Sequence, residues 1–131
     1  MKDLKLFLDL IRIEKPIGIM LLFWPCLWGL TLGNDFSDNN LIYLTYIAYF
    51  FLGSILMRSA GCIVNDILDR KYDILVSRTK DRPIASGKIS TKLGLIYAII
   101  LCFTAFLILI QFNLTTILLG LASIQFYFIY N

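Results

Sequence analysis

The sequence has no histidine among its 131 residues, and it has only three cysteines and three prolines. Cys26, Cys62 and Cys102 lie far apart, each within an apolar segment. Zinc and other soft-metal sites need clustered Cys and His ligands, so this composition argues against them. An odd number of dispersed cysteines also gives no disulfide framework, and we expect these thiols to be reduced packing residues.

Charge is also scarce, at 16% of residues, and it is absent from long stretches of the chain. All twelve Lys and Arg lie in residues 2–15, at position 58 or in residues 70–92. With 59% hydrophobic residues and a mean hydropathy of +0.79, the uncharged runs exclude an ordinary soluble domain and indicate a membrane protein. The basic segments contain almost no aromatic residues, so we expect no nucleic-acid binding.

The hydrophobic pattern predicts an all-α integral membrane protein, with residues 1–131 forming a single membrane domain. Residues 1–15 carry too many charges for a cleaved signal peptide, and they predict an amphipathic helix at the membrane surface. Its apolar face is predicted to contain Leu4, Phe7, Leu8 and Ile11.

Four transmembrane helices are predicted after this helix, near residues 17–32, 41–64, 93–112 and 114–130. Ser90 or Thr91 can cap the third. The basic residues occur in the N-terminal segment and in loop 65–92, whereas the loops near 33–40 and 111–113 have none. The N-terminus, loop 65–92 and the C-terminus are therefore expected on the cytoplasmic side.

The most informative stretch runs from Arg58 to Gly87, since it is the only strongly charged run between apolar segments. On a helix, Asp66, Asp69 and Asp73 fall within an arc of about 60°, and Asn65 lies one turn before Asp69 on the same stripe. Hard oxygen ligands at this spacing suit Mg²⁺. We therefore predict that Asn65, Asp66, Asp69 and Asp73 hold Mg²⁺.

Basic residues surround these carboxylates in the sequence: Arg70, Lys71, Arg78, Lys80, Arg82 and Lys88. Carboxylates for a metal beside Arg and Lys for charged oxygens are what a bound diphosphate requires. The alternative is a solvated cytoplasmic loop whose charge only sets topology. Arg58 lies inside an apolar run, where an arginine predicts a functional site, the alternative being a side chain that snorkels towards the surface.

Four stretches resemble the UbiA superfamily of membrane-embedded aromatic prenyltransferases. Residues 65–73, Asn-Asp-Ile-Leu-Asp-Arg-Lys-Tyr-Asp, resemble its first aspartate-rich motif, NDxxDxxxD. Three further stretches resemble motifs of the branch that acts on 4-hydroxybenzoate: residues 12–18 (R-x-x-K-P-x-G), 58–66 (RxAGCxxND) and 78–87 (RTxxRPxxSG). The chain as a whole resembles the N-terminal half of that family's bundle of about nine helices.

The resemblance implies Mg²⁺-dependent transfer of a polyprenyl group from polyprenyl diphosphate to 4-hydroxybenzoate, in ubiquinone biosynthesis and at the bacterial inner membrane. It assigns the catalytic role to Asp66, Asp69 and Asp73. Its implied substrate-binding residues are Arg12, Lys15, Arg58, Asn65, Arg78, Lys80 and Arg82, of which Arg12 and Arg58 are candidates for the aromatic carboxylate. The family's second aspartate-rich motif is absent, since no acidic residue follows Asp81.

Two other functions are also compatible with the sequence. A CDP-alcohol phosphotransferase also uses a DxxD pair with Mg²⁺, but that family has Gly directly after the pair, where this chain has Arg70. The other rival is a non-catalytic truncated or split fragment, completed by the missing C-terminal half or by another copy. Within the superfamily, the haem O synthase, menaquinone and chlorophyll branches share the first motif.

Overall fold

The computed structural model describes the backbone of residues 2–33 and 40–130 and the side chains of residues 4–33 and 40–123. Every regular element in this part of the chain is helical, which confirms the all-α prediction. The helices are α1 (Lys2–Ile11), α2 (Ile17–Gly33), α3 (Asn40–Leu68), α4 (Arg70–Asp73), α5 (Thr91–Leu109) and α6 (Leu114–Tyr130).

Two of these helices, α3 and α5, are long and apolar enough to cross a membrane. Helix α2 and the part of α6 up to Ser123 are apolar but shorter. Helix α3 continues to Leu68, past the predicted end at 64, and α5 ends at Leu109, before the predicted 112. The number of membrane crossings therefore stays a prediction. Residues 34–39 of the predicted external loop, and the side chains of Tyr127 and Tyr130, lie outside the described residues.

Side-chain caps fix the starts of α5 and α6. The backbone N–H of Leu93 donates to Ser90 Oγ at 3.2 Å, which confirms Ser90 as the predicted cap of α5. At the start of α6, the N–H of Thr116 donates to Asn113 Oδ1 at 2.9 Å. These caps supply acceptors for N–H groups in the first turn, which have no partner within the helix.

Helix α3 is the central element, and α1, α2 and α5 all pack against it. The buried apolar core lies near the C-terminal end of α3, and its members are Leu10, Ile11, Ile63, Ile84, Ile89 and Ala98. Helix α1 contributes Leu10, which is fully buried, whereas Leu4 of the predicted apolar face is 62% exposed. The side of α1 that packs in the core is set by its contacts with α3 and the segment near Ile84, while the membrane-surface role of Leu4 stays a prediction.

The segment 74–90 folds into successive turns instead of extending into solvent. Thr79 Oγ1 donates to the carbonyl oxygen of Asp73 at 3.0 Å, and the Ile89 N–H donates to Pro83 O at 2.9 Å. Gly87 adopts a φ of 75°, a left-handed conformation that costs glycine little. Since Ile84 and Ile89 are buried in the core, this segment is a folded part of the helical structure.

Candidate functional site

Asp66 lies near the end of α3 with only 2% of its side chain exposed. Arg12 Nη2 donates to its Oδ1, and Arg82 Nη1 lies 3.4 Å from the same oxygen. A buried carboxylate is tolerable only when cations and hydrogen bonds compensate it. Here the cations come from two separate elements, the C-terminal end of α1 and the segment 74–90.

Asp73 lies at the end of α4, and it is buried like Asp66. Arg82 Nη1 donates to Asp73 Oδ2 at 2.7 Å, so one guanidinium nitrogen contacts both carboxylates. Helix α3 ends at Leu68 and α4 begins at Arg70, but the side-chain directions predicted for one continuous helix are kept across Asp69. Its N–H donates to Asn65 O at 2.8 Å, and the Asp73 N–H donates to Asp69 O at 2.8 Å. Asp66 and Asp73 therefore point towards the same cation.

Asp69 differs from the other two aspartates because its side chain is exposed. Within the described residues, no group of three acidic, His or Cys side chains is arranged to hold a metal ion. Asp66 and Asp73 still fit a divalent cation, because Mg²⁺ commonly binds one or two carboxylates and completes its shell with water and phosphate oxygens. The half-buried Asn65 and the exposed Asp69 flank this pair in sequence.

Arg12 has a positive φ of 54°, and it alone does so among the described residues other than glycine. Its N–H donates to Asp9 O at 3.3 Å and the Ile13 N–H donates to Leu8 O at 3.4 Å, which is the Schellman pattern that ends a helix. Glycine is usual at this position, and any other residue costs about 1–2 kcal/mol. This turn places Arg12 so that its guanidinium reaches Asp66.

Arg58 is half-buried on α3, and its guanidinium lies against Gly18 of α2. A Cβ at Gly18 would lie 2.8 Å from Arg58 Cζ, so a larger residue at this position would require the guanidinium to move. None of the ion pairs in the described part of the chain includes Arg58. Gly18 was not predicted to be part of the site, although this glycine belongs to the R-x-x-K-P-x-G stretch.

A polar pocket of about 510 Å³ lies between the end of α1 and the segment 74–90. Its basic lining residues are Arg12, Lys15, Arg78, Arg82 and Lys88, and its acidic ones are Asp9, Glu14 and Asp81. The pocket thus brings together four of the predicted substrate-binding residues. Arg58, Asn65 and Lys80 do not line it, while Lys88, which the sequence placed only near the carboxylates, does. The excess of basic side chains suits an anion.

A second pocket, of about 360 Å³, lies between α2, α3, α5 and α6 and is lined almost entirely by apolar groups. Gly53, Ser54 and Met57 line it from α3, with Cys102 and Phe106 from α5. Small residues on α3 leave this space open, since a Cβ at Gly53 would meet no atom within 4 Å. An apolar cavity of this kind suits a hydrocarbon chain.

Comparison with known proteins agrees with the resemblance. The UbiA prenyltransferase family profile matches residues 22–131. The chain is 49% identical over 115 residues to the 4-hydroxybenzoate octaprenyltransferase of Nitrosomonas eutropha, covering 88% of this chain and 39% of that protein. It is 46% identical over 121 residues to the Nitrosomonas europaea protein of the same name, covering 92% of this chain and 40% of the relative.

The 4-hydroxybenzoate octaprenyltransferase of a Janthinobacterium species (strain Marseille) is 46% identical over 124 residues, covering 95% of this chain and 42% of that protein. The chain thus spans less than half the length of these curated relatives, in their N-terminal half. No solved structure matches the chain significantly. A family match over most of the sequence, together with this level of identity, shows that the chain belongs to the UbiA prenyltransferase family.

Proposed function

We propose that residues 58–88 bind a polyprenyl diphosphate through Mg²⁺, and that this chain provides this part of a 4-hydroxybenzoate polyprenyltransferase of ubiquinone synthesis. One observation carries the proposal. The buried carboxylates of Asp66 and Asp73 meet at a single cationic atom, Arg82 Nη1, at the edge of a pocket lined by five basic side chains. Carboxylates for a metal and bases for phosphate oxygens are thus placed side by side.

The proposed metal ligands are the four residues predicted from the sequence, Asn65, Asp66, Asp69 and Asp73. The geometry supports Asp66 and Asp73 most directly, because Asp69 is exposed. A Mg²⁺ held by these residues would supply positive charge to the diphosphate and make it a better leaving group. Family members generally depend on a divalent metal, which agrees with this donor set.

The basic residues bind the oxygens of the diphosphate. Arg78 and Arg82 line the polar pocket, where guanidinium groups offer paired donors to phosphate oxygens. Lys80 is exposed in the same segment but does not line the pocket, so it is a weaker candidate than Arg78 and Arg82. These side chains hold the leaving group while the bond from its oxygen to the allylic carbon breaks.

The second substrate is the aromatic acid, and Arg58 is the candidate that binds its carboxylate. Arg58 is half-buried, held against Gly18, and not engaged by a carboxylate of the described residues. Arginine offers two parallel donors to a carboxylate. Arg12 and Lys15 are weaker candidates, because Arg12 is paired with Asp66 and Lys15 is exposed. The ring carbon beside the hydroxyl then attacks the allylic carbon and loses its proton.

The apolar pocket between α2, α3, α5 and α6 is proposed to hold part of the polyprenyl tail, and the bilayer holds the rest. The relatives are more than twice as long as the stretch they share with this chain. We infer that the face of the site opposite Asp66 is supplied by a further stretch of polypeptide or by a second copy.

The test is turnover of the full-length enzyme carrying Asp66→Asn, Asp69→Asn or Asp73→Asn. Asparagine keeps the size of the side chain but removes the charge that attracts Mg²⁺, so we expect Asp66→Asn and Asp73→Asn to lose ~10²-fold or more in turnover. Asp69→Asn is expected to lose somewhat less, because the side chain of Asp69 is exposed. Asp3→Asn, the same chemical change near the N-terminus, is the control. Unchanged turnover in all three site variants would contradict the proposal.

A further inference from the structure

Arg12 and Arg82 reach the same atom from different parts of the chain. Arg12 lies in the turn that ends α1, Arg82 lies in the segment 74–90, and both contact Asp66 Oδ1. Arg82 also donates to Asp73 at 2.7 Å. The two guanidinium groups are thus bound to the oxygens that the proposed function assigns to the metal.

We propose that Arg12 and Arg82 are positioning residues that hold the carboxylates of Asp66 and Asp73 until a divalent cation replaces them. In that exchange α1 and the segment 74–90 lose their ionic contacts with α3. The inference rests on the proposed function, since it takes Asp66 and Asp73 to be metal ligands.

Burial makes a substitute cation necessary at this position. With its side chain 2% exposed, an ionised Asp66 that lacked both metal and arginine would be left without compensation. Each arginine is itself only about a quarter exposed, at 25% and 28% of its side chain. The arginines therefore supply the compensating positive charge and orient the carboxylate in the metal-free protein.

The same contacts must weaken when a metal binds. Asp66 and Asp73 would hold a divalent ion through the oxygens that Arg12 and Arg82 now contact, and the ion's charge would repel both arginines. Each displaced side chain already lines the polar pocket, where a phosphate would offer it new acceptors. The metal and a diphosphate are therefore expected to strengthen each other's binding, and this coupling is reciprocal.

The backbone of Arg12 supports a role for its side chain. Its φ of 54° is a conformation that glycine would adopt at lower cost, so the turn alone does not require arginine. The same backbone conformation makes Arg12→Gly a suitable test variant. Arg12→Gly removes the guanidinium while favouring the same turn, and Arg82 remains to compensate Asp66.

The experiment measures Mn²⁺ binding by electron paramagnetic resonance on the purified 131-residue chain in lipid nanodiscs. We expect Arg12→Gly to bind Mn²⁺ roughly tenfold more tightly than the parent, because the metal no longer displaces a charge-assisted hydrogen bond. Arg12→Lys keeps the charge and should return the affinity towards that of the parent. Arg70→Gln removes an exposed arginine that has no ion pair among the described residues, and it controls for the general loss of positive charge.

A second readout follows the release of α1. Hydrogen exchange of residues 4–13, measured by mass spectrometry, should accelerate when Mn²⁺ and inorganic diphosphate are added together to the parent. In Arg12→Gly the same addition should have little further effect, because the contact is already lost. A structural role alone would change the exchange of the variant but would not raise its Mn²⁺ affinity.

Two further outcomes separate this inference from the proposed function. If Mn²⁺ binds and Asp66→Asn abolishes binding, but Arg12→Gly binds no more tightly than Arg70→Gln, the exchange of arginine for metal is wrong and the metal site stands. If Mn²⁺ does not bind with diphosphate present, or if Asp66→Asn leaves the affinity unchanged, both the metal site and the inference are wrong.

Discussion

Arg58 lies where it does because Gly18 has no side chain. The guanidinium occupies the space next to the Gly18 Cα, which fixes a half-buried cation between α2 and α3. The sequence predicted Arg58 as a functional residue from its position inside an apolar run. It did not predict the role of Gly18, because contact between residues 40 positions apart depends on how two helices pack.

In the full-length enzyme, Arg58→Lys should raise the KM for 4-hydroxybenzoate more than the KM for the prenyl diphosphate. Lysine keeps the charge but loses the planar pair of donors that suits a carboxylate. Steady-state kinetics with each substrate varied in turn provide the measurement. Gly18→Ala should act in the same direction, since its Cβ would displace the Arg58 side chain. Equal effects on both substrates would contradict a carboxylate role for Arg58.

Arg12 shows where residue-level prediction failed to foresee a contact. The motif places it beside Lys15, and the sequence suggested an aromatic carboxylate as its partner. In the structure its partner is Asp66, which is 54 residues away in the chain. The left-handed turn that aims Arg12 at Asp66 has no sequence signal, because glycine is the usual residue there and is absent.

The helices were predictable where hydrophobic runs and caps mark their ends, as at Ser90. The fold of segment 74–90 was not predictable from the sequence, because its charged and turn-forming residues predict an exposed loop. Its fold depends on Ile84 and Ile89, two apolar residues that become buried only when α1, α3 and α5 surround them. Asp66 and Asp73 face the same side because the helical phase continues across Asp69, as the sequence predicted. The contact of both carboxylates with Arg82 was not predictable, because it depends on the fold of this segment.

The apolar pocket gives a prediction about chain length. A Cβ at Gly53 meets nothing within 4 Å and the residue lines the pocket, so Gly53→Leu should fill part of that space. In the full-length enzyme we expect a higher KM for a long polyprenyl diphosphate and a smaller change for a short one such as geranyl diphosphate.

Gly29→Leu is the matched control for this experiment. Gly29 also has nothing within 4 Å of a built Cβ, but it is not among the residues that line the pocket. If Gly29→Leu and Gly53→Leu raised the KM for the long substrate alike, the effect would arise from the membrane rather than from the pocket. If Gly53→Leu affected short and long substrates equally, this pocket would not hold the tail.

For the molecule as a whole, the protein family could be predicted from the sequence more firmly than the number of membrane crossings. Residues 22–131 match the family, and α3 and α5 are long enough to span a bilayer. The shorter α2 and α6 leave the number of crossings undecided by length. Large apolar side chains on α2 and α5 remain uncovered, with Trp28 at 62% and Phe103 at 61% exposed, so lipid or further helices are needed to cover them.

The distribution of Lys and Arg predicts the orientation of the molecule. A reporter fused after Asn131 should be cytoplasmic and one inserted at Asn39 should be external, because the basic residues lie in the N-terminal segment and in residues 70–92. Fusions active on only one side of the membrane provide the measurement. If both reporters were on the same side, the four-span arrangement would be wrong.

The most direct test of the account is binding of a radiolabelled polyprenyl diphosphate to the purified 131-residue chain in lipid, with Mg²⁺ or with EDTA. We predict weak binding that requires Mg²⁺ and is lost in Asp66→Asn. We expect little or no transfer to added 4-hydroxybenzoate, because residues 65–73 would hold the diphosphate from one side. Binding that is equal in Mg²⁺ and EDTA, and equal in the parent and Asp66→Asn, would contradict the claim that this segment holds the diphosphate through a metal.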